Sequence, residues 1–149
     1  MNQHEFSRRQ FLGSAAAALA APDPRKTRSY NPNMEYRRLG RTNMMISAVS
    51  LGGHWKKIPY KPGTEEFKKN RRDVVYACLE HGINFIDACS PSEVAVYSEA
   101  LKGRREEVYL GFESTGARRP EIAGSLDKLK QGLDEAMKKC GQDYVDVWR

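Results

Sequence analysis

Three side chains with acid–base chemistry lie at or just after the ends of short apolar stretches that we interpret as strands. Asp87 closes the stretch 84–87, Glu113 follows the stretch 108–112, and His54 comes just after a pair of glycines. Two carboxylates at one site can do general acid/base work when one is held protonated, and imidazole is the side chain that most often transfers protons. Asp87, Glu113 and His54 are therefore the candidate catalytic residues. The alternatives are a loop acid at 113 and a loop histidine at 54 without any role in chemistry.

The elements that must position these residues alternate between strand and helix. Apolar residues recur at helical spacing over 65–81 and 121–139, and Gly82 and Gly141 supply the ends. Ser92 is a candidate N-cap for a third helix. In chain order we predict a hairpin over 35–47, a strand at 48–51, a helix at 65–81, a strand at 84–87, a helix at 93–101, a strand at 108–112, a helix at 121–139 and a strand at 144–148.

Strands that alternate with helices predict a parallel sheet with right-handed crossovers. Two closures are compatible with this order, an open doubly wound sheet and the first half of an eight-stranded barrel. No GxGxxG motif follows the first strand, and Gly52-Gly53 leads into a loop with prolines instead of a helix. The sequence therefore favours an α/β fold that is the N-terminal half of a (β/α)₈ TIM barrel, preceded by a β-hairpin.

Five segments resemble the aldo/keto reductase family in their order and spacing. They are Met34–Thr42, Ser50–Gly53, Gly82–Ala88, Ala100–Val108 and Leu126–Trp148. The resemblance covers about residues 34 to 149 and implies an NADP-dependent oxidoreductase that reduces a small-molecule carbonyl substrate. It also implies that Gly52, Gly53 and Asp87 lie at the cofactor, whose phosphate-binding segment would belong to the second half of the barrel.

The family's catalytic group consists of Asp, Tyr, Lys and His, and this chain departs from it. Asp87 stands at the aspartate position, but Ser92 stands where the tyrosine would be and Glu113 where the lysine would be. Tyr97 is the nearest phenol and is expected to pack inside a helix. The histidine would come two residues after Arg149. The resemblance therefore implies a reductase with an altered site, and the alternative is a non-catalytic barrel that binds a ligand or a partner.

The first twenty residues have the pattern of an export signal. Arg8-Arg9 and Phe11-Leu12 precede an alanine-rich stretch, which resembles a twin-arginine signal peptide. This predicts cleavage after Ala20, the twin-arginine translocase as a partner, and a periplasmic or other extracytoplasmic location in a bacterium. An ordinary alanine-rich helix is the alternative. Residues 21–33 contain three prolines and are interpreted as a linker, and residues 34–149 as the partial barrel domain.

Composition excludes several function classes. The net charge of +6 comes from short, scattered basic runs without interleaved aromatic residues, which does not favour nucleic-acid binding. No apolar stretch reaches the roughly twenty residues that span a bilayer, so an integral membrane protein is not predicted. The three cysteines are odd in number and lack CxxC spacing, so we predict neither a disulfide framework nor a metal site.

The sequence ends where a barrel of this kind would be about half built. We therefore expect an incomplete reading frame. If the 149 residues were the whole product, the unpaired outer strands would favour self-association into a barrel of two halves.

Overall fold

The computed structural model describes residues 22–55, 57–113, 119–120, 122 and 124–149. Its strands are β1 (Tyr36–Arg38), β2 (Met45–Ser47), β3 (Leu51–Gly52), β4 (Phe85–Ala88), β5 (Tyr109–Phe112) and β6 (Val147–Trp148). Its α-helices are α1 (Glu65–Glu80), α2 (Pro91–Ala100) and α3 (Leu126–Cys140), with short 3₁₀ turns at Pro24–Lys26 and Arg105–Glu107. None of the helices in these residues has the length and apolar character needed to cross a membrane.

Strands β3, β4, β5 and β6 form one parallel sheet in chain order, and β1 and β2 form a separate antiparallel hairpin. Along one line of the sheet Gly52 lies beside Asp87, Asp87 beside Gly111, and Gly111 beside Val147. A doubly wound sheet would reverse its strand order at a switch point, whereas a barrel keeps chain order. The predicted fold, a partial (β/α)₈ barrel preceded by a hairpin, is confirmed.

Helix α1 agrees closely with its prediction. The Thr64 hydroxyl accepts a hydrogen bond from the N–H of Phe67 at 3.3 Å, and two glutamates in the first turn complement the helix dipole. His81 caps the helix, and Gly82 follows with φ of 82°, a left-handed conformation that glycine adopts without strain.

Helix α2 begins two residues earlier than predicted, so Ser92 as its N-cap is wrong. The hydroxyl of Ser90 is the cap and accepts from the N–H of Glu93 at 3.3 Å. Pro91 takes the first helical position, where its missing N–H leaves no hydrogen bond unmade. Ser92 is exposed, and its hydroxyl is 2.9 Å from that of Ser90. The shift makes Glu93 the third residue of the helix.

Helix α3 begins at Leu126, later than the predicted start at 121. Gly124 has φ of 83°, which no right-handed helix accommodates, and Ser125 then caps the N–H of Lys128. The end agrees with the prediction, because Gly141 adopts a left-handed conformation with φ of 62°.

The core lies between the sheet and the three helices. Its fully buried members on the sheet and on α2 include Ile86, Leu110, Val94 and Tyr97. Within the described residues, the buried cluster consists of Val75, Leu79, Ile86, Ala88, Val94, Tyr97, Ala100, Leu101, Val108, Leu110, Phe112, Ala136, Met137 and Cys140. This packing fixes where each strand ends, and so where the side chains after it lie.

Residues 22–33, interpreted from sequence as a linker, are docked on the amino-terminal edge of the sheet. The buried amide of Asn84 donates to the hydroxyl of Thr27 at 3.1 Å and to the carbonyl of Arg28 at 3.0 Å, and its oxygen accepts from the N–H of Ser47. The hydroxyl of Tyr36 donates to the carbonyl of Gly82 at 3.0 Å. The segment and the hairpin together cover this edge.

Candidate functional site

The candidate site lies at the opposite, carboxyl-terminal edge of the sheet, where the chemistry of barrel enzymes is located. His54 follows β3, Cys89 follows β4, Glu113 follows β5, and Arg149 follows β6. Asp87 lies within β4, one residue before its end. Each residue is therefore positioned by the strand in which it lies or which it follows.

Arg149 connects two of the predicted site residues. Its guanidinium donates to both oxygens of Asp87 at 2.7 and 2.8 Å and lies 3.8 Å from Glu113. This bidentate contact with Asp87 is the main cause that raises the pKa of Arg149 above its usual value. Asp87 and Glu113 therefore share one cation.

His54 makes a different contact. Its Nδ1 is 3.5 Å from Oε1 of Glu93, and the imidazole is 59% exposed while the Glu93 side chain is only 11% exposed. The other oxygen of Glu93, Oε2, accepts from the N–H of Cys89 at 2.6 Å. The structure thus forms a second group at the same edge, composed of His54, Cys89 and Glu93.

Gly53 explains how Glu93 reaches this position. A Cβ at Gly53 would collide with the Glu93 carboxylate, whereas a Cβ at Gly52 would meet nothing within 4 Å. Gly53 is buried beneath the carboxylate, and Gly52 is exposed. Of the two glycines predicted to face a cofactor, only Gly52 is uncovered.

The Cys89 thiol lies among negative charges. Burial raises its pKa, and the carboxylates of Glu93, Asp87 and Glu113 raise it further. Cys78, Cys89 and Cys140 are all free cysteines. The site therefore favours a protonated thiol unless a cation is close to the sulfur.

Tyr97 packs inside the molecule, as predicted. Its side chain is fully buried, its hydroxyl donates to the carbonyl of Gly52 at 2.6 Å, and its ring contacts Trp55 edge to face. Burial raises the pKa of Tyr97 to about 12. The hydroxyl therefore bonds to a residue that lies beside Asp87 in the sheet, but it is buried and its proton is donated to the Gly52 carbonyl.

Sequence reasoning missed Glu93, Cys89 and Arg149. The first was detectable, because Ser90-Pro91 is a standard helix start, and Glu93 then takes the glutamate position of a capping box, three residues after the cap. In that motif the glutamate bonds to the N–H of the cap residue, but here it reaches one residue further, to Cys89. No sequence signal indicated Arg149, whose contacts are with Asp87 on β4 and with Glu113 after β5.

Comparisons with known proteins support the resemblance. No family model matches the chain. A probable voltage-gated potassium channel subunit beta of Arabidopsis thaliana is 28% identical over 131 residues, which cover 76% of this chain and 36% of that protein. L-galactose dehydrogenase of the same plant is 26% identical over 121 residues, 76% of this chain and 37% of that protein.

Among solved structures, the chain is similar to the aldo-keto reductase AKR11C1 from Bacillus halodurans in its holo form. The TM-score is 0.58 at 23% sequence identity, over 78% of this chain and 39% of the other. The described fold is therefore that of part of an aldo-keto reductase barrel. The chain spans a little over a third of the length of the relatives that it matches.

Proposed function

We propose that this chain is the N-terminal part of an aldo/keto reductase-like oxidoreductase that reduces small carbonyl compounds. The observation that carries the proposal is the cluster of Asp87, Arg149 and Glu113 at the carboxyl edge of a sheet with this barrel's strand order. The sequence similarity to L-galactose dehydrogenase supports an oxidoreductase.

NADP is the proposed cofactor, and an exposed glycine at the carboxyl edge of the sheet supports the proposal. Gly52 is exposed, with open space around the position of a Cβ, and Asp87 is its neighbour across the sheet. These two residues would hold the reactive end of the cofactor. The chemistry that NADPH supplies when bound is a hydride for the carbonyl carbon.

The carbonyl oxygen also needs a proton, and His54 is the group on the rim that we assign to hold it. Its Nδ1 faces Glu93 at 3.5 Å, so Nε2 lies on the other side of the exposed ring. A carboxylate that holds one nitrogen of a histidine orients the other for proton transfer. Asp87 keeps Arg149 at the rim, where its positive charge would stabilise the developing alkoxide.

A second candidate is a barrel that binds a ligand or partner without turnover. The burial of the Tyr97 hydroxyl favours it, because no other residue in the described part of the site offers a phenol. One similar protein bears the name of a channel subunit, which fits a partner-binding role.

Turnover and binding can be separated with the protein that carries this chain. We expect NADPH consumption with a panel of aldehydes and ketones, and a loss of at least 100-fold in kcat/KM for Asp87→Asn and His54→Asn. His81→Asn, at the exposed end of α1, is the matched control and should retain activity. NADPH binding without turnover would favour the binding barrel, and absence of both would overturn both candidates.

Export through the twin-arginine translocase is also proposed, on the strength of Arg8-Arg9 and the alanine-rich stretch after them. These residues lie outside the part of the chain that the structure describes. A reporter fused after residue 33 should reach the periplasm of a bacterial host, and the paired change Arg8→Lys, Arg9→Lys should retain it in the cytoplasm. Export that does not require the arginines would contradict the proposal.

A further inference from the structure

We propose that His54, Cys89 and Glu93 form a binding site for one divalent transition-metal ion of the zinc class. The ligand atoms of these three residues lie within 4.8 Å of one another. They come from two adjacent loops at the carboxyl edge of the sheet and from the first turn of α2. The inference does not depend on the reduction proposed above, because an ion bound through Nδ1 of His54 would leave Nε2, the nitrogen assigned to the carbonyl proton, on the other side of the ring.

The donor types select the class of metal. Zinc and its neighbours bind thiolate, imidazole and carboxylate together, whereas magnesium and calcium require oxygen ligands. With bonds of about 2.0–2.3 Å, donor atoms around a tetrahedral ion lie roughly 3.3–3.8 Å apart. His54 Nδ1 and Glu93 Oε1 already meet this requirement at 3.5 Å. The other separations are within 4.8 Å, so they must shorten by no more than about 1–1.5 Å, which side-chain rotations can supply.

Glu93 is held in place before any ion arrives. Its Oε2 is fixed by the N–H of Cys89, and the absence of a side chain at Gly53 lets the carboxylate lie against the backbone. Oε1 is therefore the oxygen that faces His54. An outer hydrogen bond that orients a ligating carboxylate is typical of metal sites, where its loss costs about 10–100-fold in affinity.

The charge of the site also favours a cation. The carboxylates of Asp87 and Glu113 lie at the same edge of the sheet as Glu93, and Arg149 contacts both of them. A chain with a net charge of +6 thus gathers negative charge at this one edge. Binding of a dication would release the thiol proton, because the thiolate is the ligand.

Access and coordination number suit an exchangeable ion. His54 is largely exposed, so an ion can enter from solvent. Three protein ligands leave the fourth tetrahedral position open to water, as in catalytic zinc sites. The site differs in this respect from the closed four-ligand sites that hold small domains together.

Cobalt provides a direct test, because Co²⁺ bound to a thiolate gives a near-ultraviolet charge-transfer band. The chelator-treated protein that carries this chain should bind one equivalent of Co²⁺ with this band, and Zn²⁺ should displace it. Cys89→Ser should abolish the band, and Glu93→Gln and His54→Asn should each weaken Co²⁺ binding at least 10-fold. Cys78→Ser, at a half-buried free cysteine on α1, is the matched control.

The result that would overturn the proposal is absence of the band in the wild-type protein, or a band that survives Cys89→Ser. An equal loss in Cys78→Ser would overturn it as well, because binding would then not depend on this cluster. Circular dichroism of each variant verifies that the fold persists. Metal content after gel filtration gives the stoichiometry independently of any enzyme assay.

Discussion

Gly53 has the most specific role of the single residues at the site, because it is the residue over which the Glu93 carboxylate lies. We expect Gly53→Ala to push that carboxylate away and break its bond to the Cys89 N–H, at a cost of about 1–3 kcal/mol in the free energy of unfolding. The same change should weaken Co²⁺ binding about 10-fold or more. Urea unfolding and Co²⁺ titration measure the two effects.

The control for Gly53→Ala is Gly52→Ala in the preceding position. A Cβ there meets no atom within 4 Å, so both measurements should stay close to wild type. Similar losses in the two variants would show that the backbone of the loop, and not the approach of Glu93, is the sensitive feature.

Tyr97 makes the stability of the protein depend on alkaline pH. Its folded pKa is raised to about 12 by burial, whereas an unfolded tyrosine titrates near 10. Ionisation therefore occurs first in the unfolded state. The protonated Tyr97 phenol therefore contributes to the free energy of unfolding by an amount on the order of 2–3 kcal/mol. This contribution is fully present below about pH 10 and is lost as the pH rises through about 12.

Urea unfolding between pH 8 and pH 11.5 checks this expectation. Tyr97→Phe should flatten the decline that wild type shows above pH 10, although it removes the bond to the Gly52 carbonyl at every pH. Tyr60→Phe, at an exposed tyrosine, should keep the wild-type decline. An unchanged decline in Tyr97→Phe would contradict the assignment.

At the scale of elements, Asp146 joins three parts of the fold. One of its oxygens accepts from Arg28 of the docked N-terminal segment at 2.8 Å, and the other accepts from Arg105 at 2.8 Å and from the Leu110 N–H at 2.9 Å. The Asp146 side chain is only 8% exposed. Asp146→Asn removes the negative charge that pairs with both arginines. We expect it to lower the free energy of unfolding by about 2–4 kcal/mol.

Urea unfolding of Asp146→Asn should be compared with that of Asp143→Asn. Asp143 is exposed, so its substitution should change the free energy of unfolding by no more than about 0.5 kcal/mol. A loss of the same size in both variants would mean that net charge, and not the junction, is responsible.

The helices, strands and connecting segments also show how much of the fold could be predicted from the sequence. Apolar periodicity and the glycine after its end predicted α1, and the alternation of strands and helices predicted the parallel strand order. These patterns are local in the sequence, so they could be recognised without the structure. The docked segment was not predictable, since Thr27 and Arg28 find partners some eighty residues away in Tyr109 and Val108. Composition alone makes such a proline-containing stretch resemble a linker.

The residues of the candidate site also divide into those that the sequence indicated and those that it did not. Asp87, Glu113 and His54 were chosen as candidates because each lies at or just after the end of a predicted strand, and the structure places all three at one edge of the sheet. Glu93 was missed because the helix start was placed two residues late. Arg149 was missed because pairing across strands is not encoded near it in the sequence.

At the scale of the whole molecule, the described sheet has two open edges, β3 and β6. A groove between α3 and β6 is lined by polar side chains and by four apolar ones, Leu133, Met137, Val145 and Trp148. In a closed barrel a further strand and helix would cover this edge and groove. Unpaired backbone groups and apolar surface both favour pairing with another chain.

The chain expressed by itself is therefore expected to form a discrete dimer, in which β3 of each copy pairs with β6 of the other. Two-fold symmetry about the barrel axis keeps all eight strands parallel and uses each open edge once. Light scattering during size-exclusion chromatography, across a 100-fold dilution, measures this association.

Leu133→Asp, in the groove, should raise the dissociation constant at least 10-fold, since it places a charge in the covered apolar surface. Leu126→Asp, at an exposed leucine of the same helix outside the groove, should leave it unchanged. A stable monomer at all concentrations would contradict the expectation, because the open edges would then be tolerated in water without a partner.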